Sequence, residues 1–108
     1  MYVEINLALD RPSPQLADAD NFREFKIAFD GARDDARARV AIAGIGQLVS
    51  PDHALVRVDA LVALAGPRAA DHGWRRNLDS MIGYAREHGW LDDTETMIRA
   101  HCEWTAEE

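Results

Sequence analysis

Apolar and polar residues alternate at the start of the chain. In YVEINLAL, Val3, Ile5, Leu7 and Leu9 fall on one side and Glu4 and Asn6 on the other, the period-two pattern of a half-buried strand. Alternation returns in FREFKIAFD, with Phe25, Ile27 and Phe29 inward and Glu24, Lys26 and Asp30 outward; its aromatic and β-branched content favours strand over helix. ALVRV, residues 54–58, predicts a short third strand. TMIRAHCEW, residues 96–104, predicts a fourth, with Ile98, Ala100, Cys102 and Trp104 on one side and Arg99, His101 and Glu103 on the other. Between the first two strands, residues 10–21 hold two prolines and a cluster of turn formers and read as a surface connection.

Helical spacing governs the rest. After Asp30-Gly31, Asp34 or Asp35 offers an N-cap to an alanine- and arginine-rich segment ending at Gly44 and Gly46, which predicts a helix over 34–46. Asp59 is placed to cap a short helix, ALVALAG, stopped by Gly66-Pro67. Asp71 opens the longest helix, whose apolar positions Trp74, Leu78, Met81, Ile82 and Ala85 oppose Arg75, Arg76, Asp79 and Arg86. Gly89 closes it as a left-handed cap, leaving Trp90 free to fold back on the last turn.

RVAIAGIGQLV, residues 39–49, superficially matches the strand and glycine-rich turn of a dinucleotide site. Such a site needs glycines that follow a strand and open a helix. Here only QLVS separates Gly46 from Pro51, and the place of the third glycine is taken by Val49. No cofactor is expected. The apolar run VAIAGI leaves a strand as the alternative to a helix over 39–46.

The predicted order is strand, strand, helix, strand, helix, helix, strand. Right-handed crossovers then put about three helices on one face of a four-stranded sheet, an α+β two-layer sandwich that is ferredoxin-like in layout only. At 108 residues one domain is expected over 1–108, burying roughly 65% of its unfolded surface, with 105–108 as a frayed tail.

Composition narrows the function classes. With 47% hydrophobic and 29% charged residues the chain is too apolar for disorder, and it has no apolar run of about 18 residues able to cross a bilayer. Glu4 within the first apolar run, with no basic flank before it, argues against a signal peptide, so a cytoplasmic location is expected. The lone Cys102 fits a reducing compartment. A formal charge of −7 disfavours nucleic acid and anionic membrane as partners. Eleven of twelve basic residues are arginine and alanine is abundant, as expected of GC-rich bacterial coding.

Three features carry candidate chemistry. The sheet face left free of helices is expected to show Glu4, Asn6, Glu24, Lys26, Arg57, Arg99, His101 and Glu103. His101 and Glu103, about 7 Å apart on that face, suit a general base with its orienting carboxylate, or two metal ligands lacking a third. A solvated face, or one that meets its twin in a dimer, explains the same residues. Second, Arg68, His72, Arg75 and Arg76 gather at the start of the longest helix, where backbone N–H groups and arginine forks would suit a phosphate or carboxylate. Third, Trp74, Trp90 and Trp104, with Tyr84, Phe22, Phe25 and Phe29, read as core, except that Trp104 near the C-terminus is expected to be exposed and to favour an interface. The search for a nucleophile yields little: Cys102 sits on the apolar side of its strand, Ser50 and Ser80 lack an acid–base arrangement, and the four histidines lack zinc-site spacing, so no metal is expected.

These features suit a non-catalytic binding or accessory module that self-associates as a homodimer or meets a small protein partner. The alternative is a small ligand-binding protein or enzyme acting on an anionic phosphate or carboxylate.

Overall fold

The computed structural model describes residues 1–106. Its strands are β1 (Tyr2–Asn6), β2 (Gln15–Ala17), β3 (Lys26–Ala32), β4 (Gly46–Ser50), β5 (His53–Arg57) and β6 (Met97–Ala106). Its helices are α1 (Asp35–Ile42), α2 (Val58–Ala65) and α3 (His72–Glu87), with a 3-10 turn over Gly66–Ala70. All six strands form one sheet in the order β2-β1-β3-β6-β5-β4. β1, β3 and β6 run parallel, and β2, β5 and β4 each join antiparallel. The protein is therefore α+β with a mixed sheet and three helices. No helix among the described residues is long and apolar enough to cross a membrane.

The sheet has six strands rather than the expected four, so the ferredoxin-like layout is not confirmed. β2 lies inside the segment expected to be a connection. It is three residues long between Pro14 and Asp18, and only its pairing with β1, Val3 opposite Leu16, makes it a strand. β4 is the QLVS stretch expected merely to follow a helix. α1 stops at Ile42, four residues before the anticipated end, because residues 43–45 turn the chain into β4. Gly46 thus opens a strand after a helix, the reverse of a dinucleotide-binding turn. A Cβ at Gly46 would run into the backbone of Leu55 and Val56, so this position needs glycine for the close approach of β4 to β5.

Other helix ends follow local rules. Asp34 caps α1 by accepting from the Arg37 N–H, and Asp71 caps α3 by accepting from Gly73 and Trp74. Gly89, at φ 72°, ends α3 while the Trp90 N–H returns to the Ala85 carbonyl and that of Gly89 to Arg86. Asp59 does not cap α2: the helix starts at Val58, two residues before the expected Ala60, and the carboxylate pairs instead with Arg57 at 3.2 Å. The tail expected from 105 is still strand at 105 and 106, where the Thr105 hydroxyl bonds the Phe29 carbonyl and Asp30; residues 107–108 lie outside the described residues.

One core joins the helices to one side of the sheet. Ala38 and Ile42 of α1, Leu61 of α2, and Trp74, Leu78 and Met81 of α3 meet Val3, Ile5, Ile27, Phe29, Val56 and Ile98. Alternation sends the intervening residues of every strand to the opposite side. There Glu4, Arg99, His101 and Glu103 are exposed.

Candidate functional site on the uncovered sheet face

Register decides which side chains meet on this face. β5 and β6 pair with His53 opposite His101 and Leu55 opposite Arg99. The ladder bonds Cys102 N–H to Asp52 and Val58 N–H to Thr96 lie at alternate positions, so His53–His101 and Leu55–Arg99 are non-hydrogen-bonded pairs, the geometry in which side chains approach most closely. The two imidazoles stand edge to face, with centroids 5.8 Å apart.

β3 begins only at Lys26, which pairs with His101, so β6 would lack a neighbour on that side at Arg99. The chain after α3 fills the gap: Leu91 bridges Ile98, and the Arg99 N–H donates to the Trp90 carbonyl at 2.7 Å. The left-handed turn at Gly89 therefore delivers Trp90 beside β6. Its ring is steadied by Tyr84 and His88, at 5.8 and 4.7 Å between centroids, and remains 39% exposed.

The result is a trough of about 300 Å³ lined by Phe25, His53, Trp90, Arg99 and His101. It adjoins a second hollow of about 420 Å³ that shares His53 and Arg99 and adds Leu55, Leu91 and Asp92. Among the described residues Arg99 has no ion-pair partner. The Asp92 carboxylate, the acid lining the adjoining hollow, is occupied by the N–H groups of Met97 and Thr96 and by the Thr94 hydroxyl. Those bonds, led by Met97, hold its carboxyl below the ordinary aspartate value.

His101 and Glu103 do share a side of β6, but Glu103 is not available to orient His101. Its carboxylate pairs with Lys26 across to β3 at 3.2 Å, and this bond raises the lysine pKa. His101 has His53 as its neighbour instead. Among the described residues no group of three His, Cys, Asp or Glu side chains is placed to hold a metal. Cys102 is buried on the core side, and burial, reinforced by the charge of Asp52, pushes its thiol up to about 12.

The four residues expected to hold an anion at the start of α3 do not share one hollow. Arg68 pairs with Asp20 at 3.4 Å. Arg75 lines a separate hollow of about 430 Å³ with Arg57, Asp59 and Glu95, while His72 and Arg76 are exposed. The Asp71 carboxylate already takes the N–H groups of Gly73 and Trp74 that an external anion would need.

Trp104 is half-buried rather than an exposed interface residue. It stacks on Phe29 at 4.5 Å and donates Nε1 to the Pro51 carbonyl. The exposed tryptophan is Trp90. The strand expected over 54–58 also left His53 out, although extending the alternation of ALVRV by one residue would have set it on the strand, on the side of Leu55 and Arg57. No family model matches this chain, and no curated protein or solved structure matches it.

Proposed function

We propose that the protein is a small binding module whose working surface is the uncovered sheet face, and that it holds an anionic small molecule at Arg99. One observation carries this reading: an arginine without a carboxylate partner among the described residues stands in a concave part of the face, beside the His53–His101 imidazole pair and with Trp90 and Phe25 as walls. A guanidinium in such a place presents a fork of donors to a carboxylate or phosphate oxygen pair. The cytoplasm suits the reading, since the chain's one cysteine is buried as a free thiol.

Thermal denaturation with acetate, benzoate and inorganic phosphate tests it. A ligand at 100 times its dissociation constant adds about 2.7 kcal/mol, which for a domain of this size raises the Tm by roughly 10 °C. The expected result is a rise with at least one anion that vanishes in Arg99→Ala. An equal rise in Arg99→Ala, or none with any anion, contradicts the reading.

A second reading, self-association through the same face in place of a small anion at Arg99, is favoured by a separate observation, the distribution of charge about the centre of the sheet. Glu4 on β1 and Glu24 just before β3 lie on one half of the face, and Arg99, His101 and His53 on the other, with the Lys26–Glu103 pair between them. A two-fold axis along the strands would lay β1 of one copy over β5 of the second, so that acidic and basic halves meet. A stable interface of this kind buries about 1,000 Å² or more. Light scattering across a salt series should then give a dimer at low salt that dissociates as salt rises; a monomer at every salt concentration excludes this reading.

A further inference from the structure

The trough constrains its ligand beyond charge, and the following inference rests on Arg99 being the anion site. We infer that the ligand is an aryl carboxylate, a flat apolar ring bearing one carboxylate. The volume, about 300 Å³, is at the small end of ligand pockets and suits a single ring system better than a nucleotide. Two of the five lining residues are aromatic. Trp90 has Gly89 behind it and Tyr84 and His88 beside it, contacts that restrict the orientations open to its exposed ring. Phe25 is half-buried and lines the same trough, and both rings also border a narrow crevice of about 70 Å³ whose floor includes Ile98 and Ala85. Apolar surface that is already restricted in orientation accepts a flat ring at low entropic cost.

The polar end favours a single negative charge. Arg99 is the one arginine in the trough, and Asp92 keeps its negative charge in the adjoining hollow. A carboxylate matches one guanidinium in charge and in its pair of coplanar oxygens. A phosphate monoester brings up to two charges and would set the second against the field of Asp92. The two imidazoles supply N–H donors to the oxygens from β5 and β6.

Calorimetric titration of the whole protein with benzoate, acetate, cyclohexanecarboxylate, phenyl phosphate and inorganic phosphate tests the assignment, with Trp90 fluorescence as a second readout. Benzoate should bind about tenfold more tightly than acetate, a difference of about 1.4 kcal/mol, and more tightly than cyclohexanecarboxylate and phenyl phosphate. Trp90→Leu and Phe25→Leu, each checked by its unfolding midpoint, should lower benzoate affinity more than acetate affinity and so narrow the preference for the ring. Acetate or inorganic phosphate binding as tightly as benzoate, with both lost in Arg99→Ala, overturns the aryl assignment and leaves the anion site standing. Binding by no probe overturns both.

Discussion

His53 and His101 stand directly opposite one another on β5 and β6, their rings 5.8 Å apart and edge to face. This relationship separates His101 from the carboxylate two residues along its own strand, because Glu103 is turned to Lys26. His101→Ala should weaken anion binding about fivefold, the loss of roughly 1 kcal/mol for one donor at a solvated site. Glu103→Gln should change it by less than about twofold, since this acid contributes to strand pairing rather than to the trough. Calorimetry on both variants checks the pair of outcomes, and a larger loss from Glu103→Gln would restore the acid as partner of His101.

The two glycines of AGIGQ differ in what surrounds them. Gly46→Ala forces its methyl into the Leu55 carbonyl and should destabilise the protein by about 3 kcal/mol, through separation of β4 from β5. Nothing lies within 4 Å of a Cβ at Gly44, so Gly44→Ala should stay within about 0.5 kcal/mol of the parent. Urea unfolding of the two variants measures the contrast. Comparable losses at both positions would mean that the turn, not the β4–β5 approach, sets the need for glycine.

Periodicity made α3, β1 and most of β6 readable, because each buries one face against a single core and its local signals agree with its packing: Asp71 caps, Gly89 terminates, and Ile98, Ala100 and Cys102 alternate inward. β2 and β4 were not readable for the opposite reason. Each is short, borders one neighbour only, and is a strand through backbone pairing with that neighbour. The uncovered face was legible as a list of outward residues, including Arg99 and His101. Its trough was not, because it depends on register: His53 meets His101 only across β5 and β6, and Trp90 reaches β6 only because β3 starts late. Charge density also pointed to the start of α3, where Asp71 takes the Gly73 and Trp74 N–H groups and Asp20 pairs with Arg68, two contacts that the sequence pattern did not show.

Trp74 ties α3 to the connection before β3. Its indole Nε1 donates to the Ala19 carbonyl at 2.9 Å in a buried setting. Trp74→Phe keeps most of the apolar contact but leaves that carbonyl without its donor, and should cost about 1 to 3 kcal/mol by urea unfolding. Loss of amide-exchange protection in residues 18–22 should accompany it; unchanged protection there would mean the bond does not anchor this segment.

Cys102 makes the stability depend on alkaline pH. The folded thiol is pushed up to about 12, led by burial, against an ordinary value of 9.0. The native state thus keeps its proton where the unfolded chain loses it, so this group's contribution is complete below pH 9 and is lost as pH rises from about 9 toward 12. Unfolding midpoints at pH 7 and pH 10.5 should fall further apart in the parent than in Cys102→Ala. The thiol should also react slowly with a disulfide reagent at pH 8 until urea unfolds the chain; equal reactivity of folded and unfolded protein would contradict its burial.

The central assignment is that anions meet Arg99 on the open sheet face and not the arginines at the start of α3. Benzoate titrated into ¹⁵N-labelled protein, read at the arginine Nε–H and tryptophan Nε1–H signals, addresses it directly. Binding in the trough should give saturating shifts at Arg99 and Trp90, with Arg68, Arg75 and Arg76 unmoved. Shifts confined to those three arginines, or no saturating shift at Arg99, would contradict it.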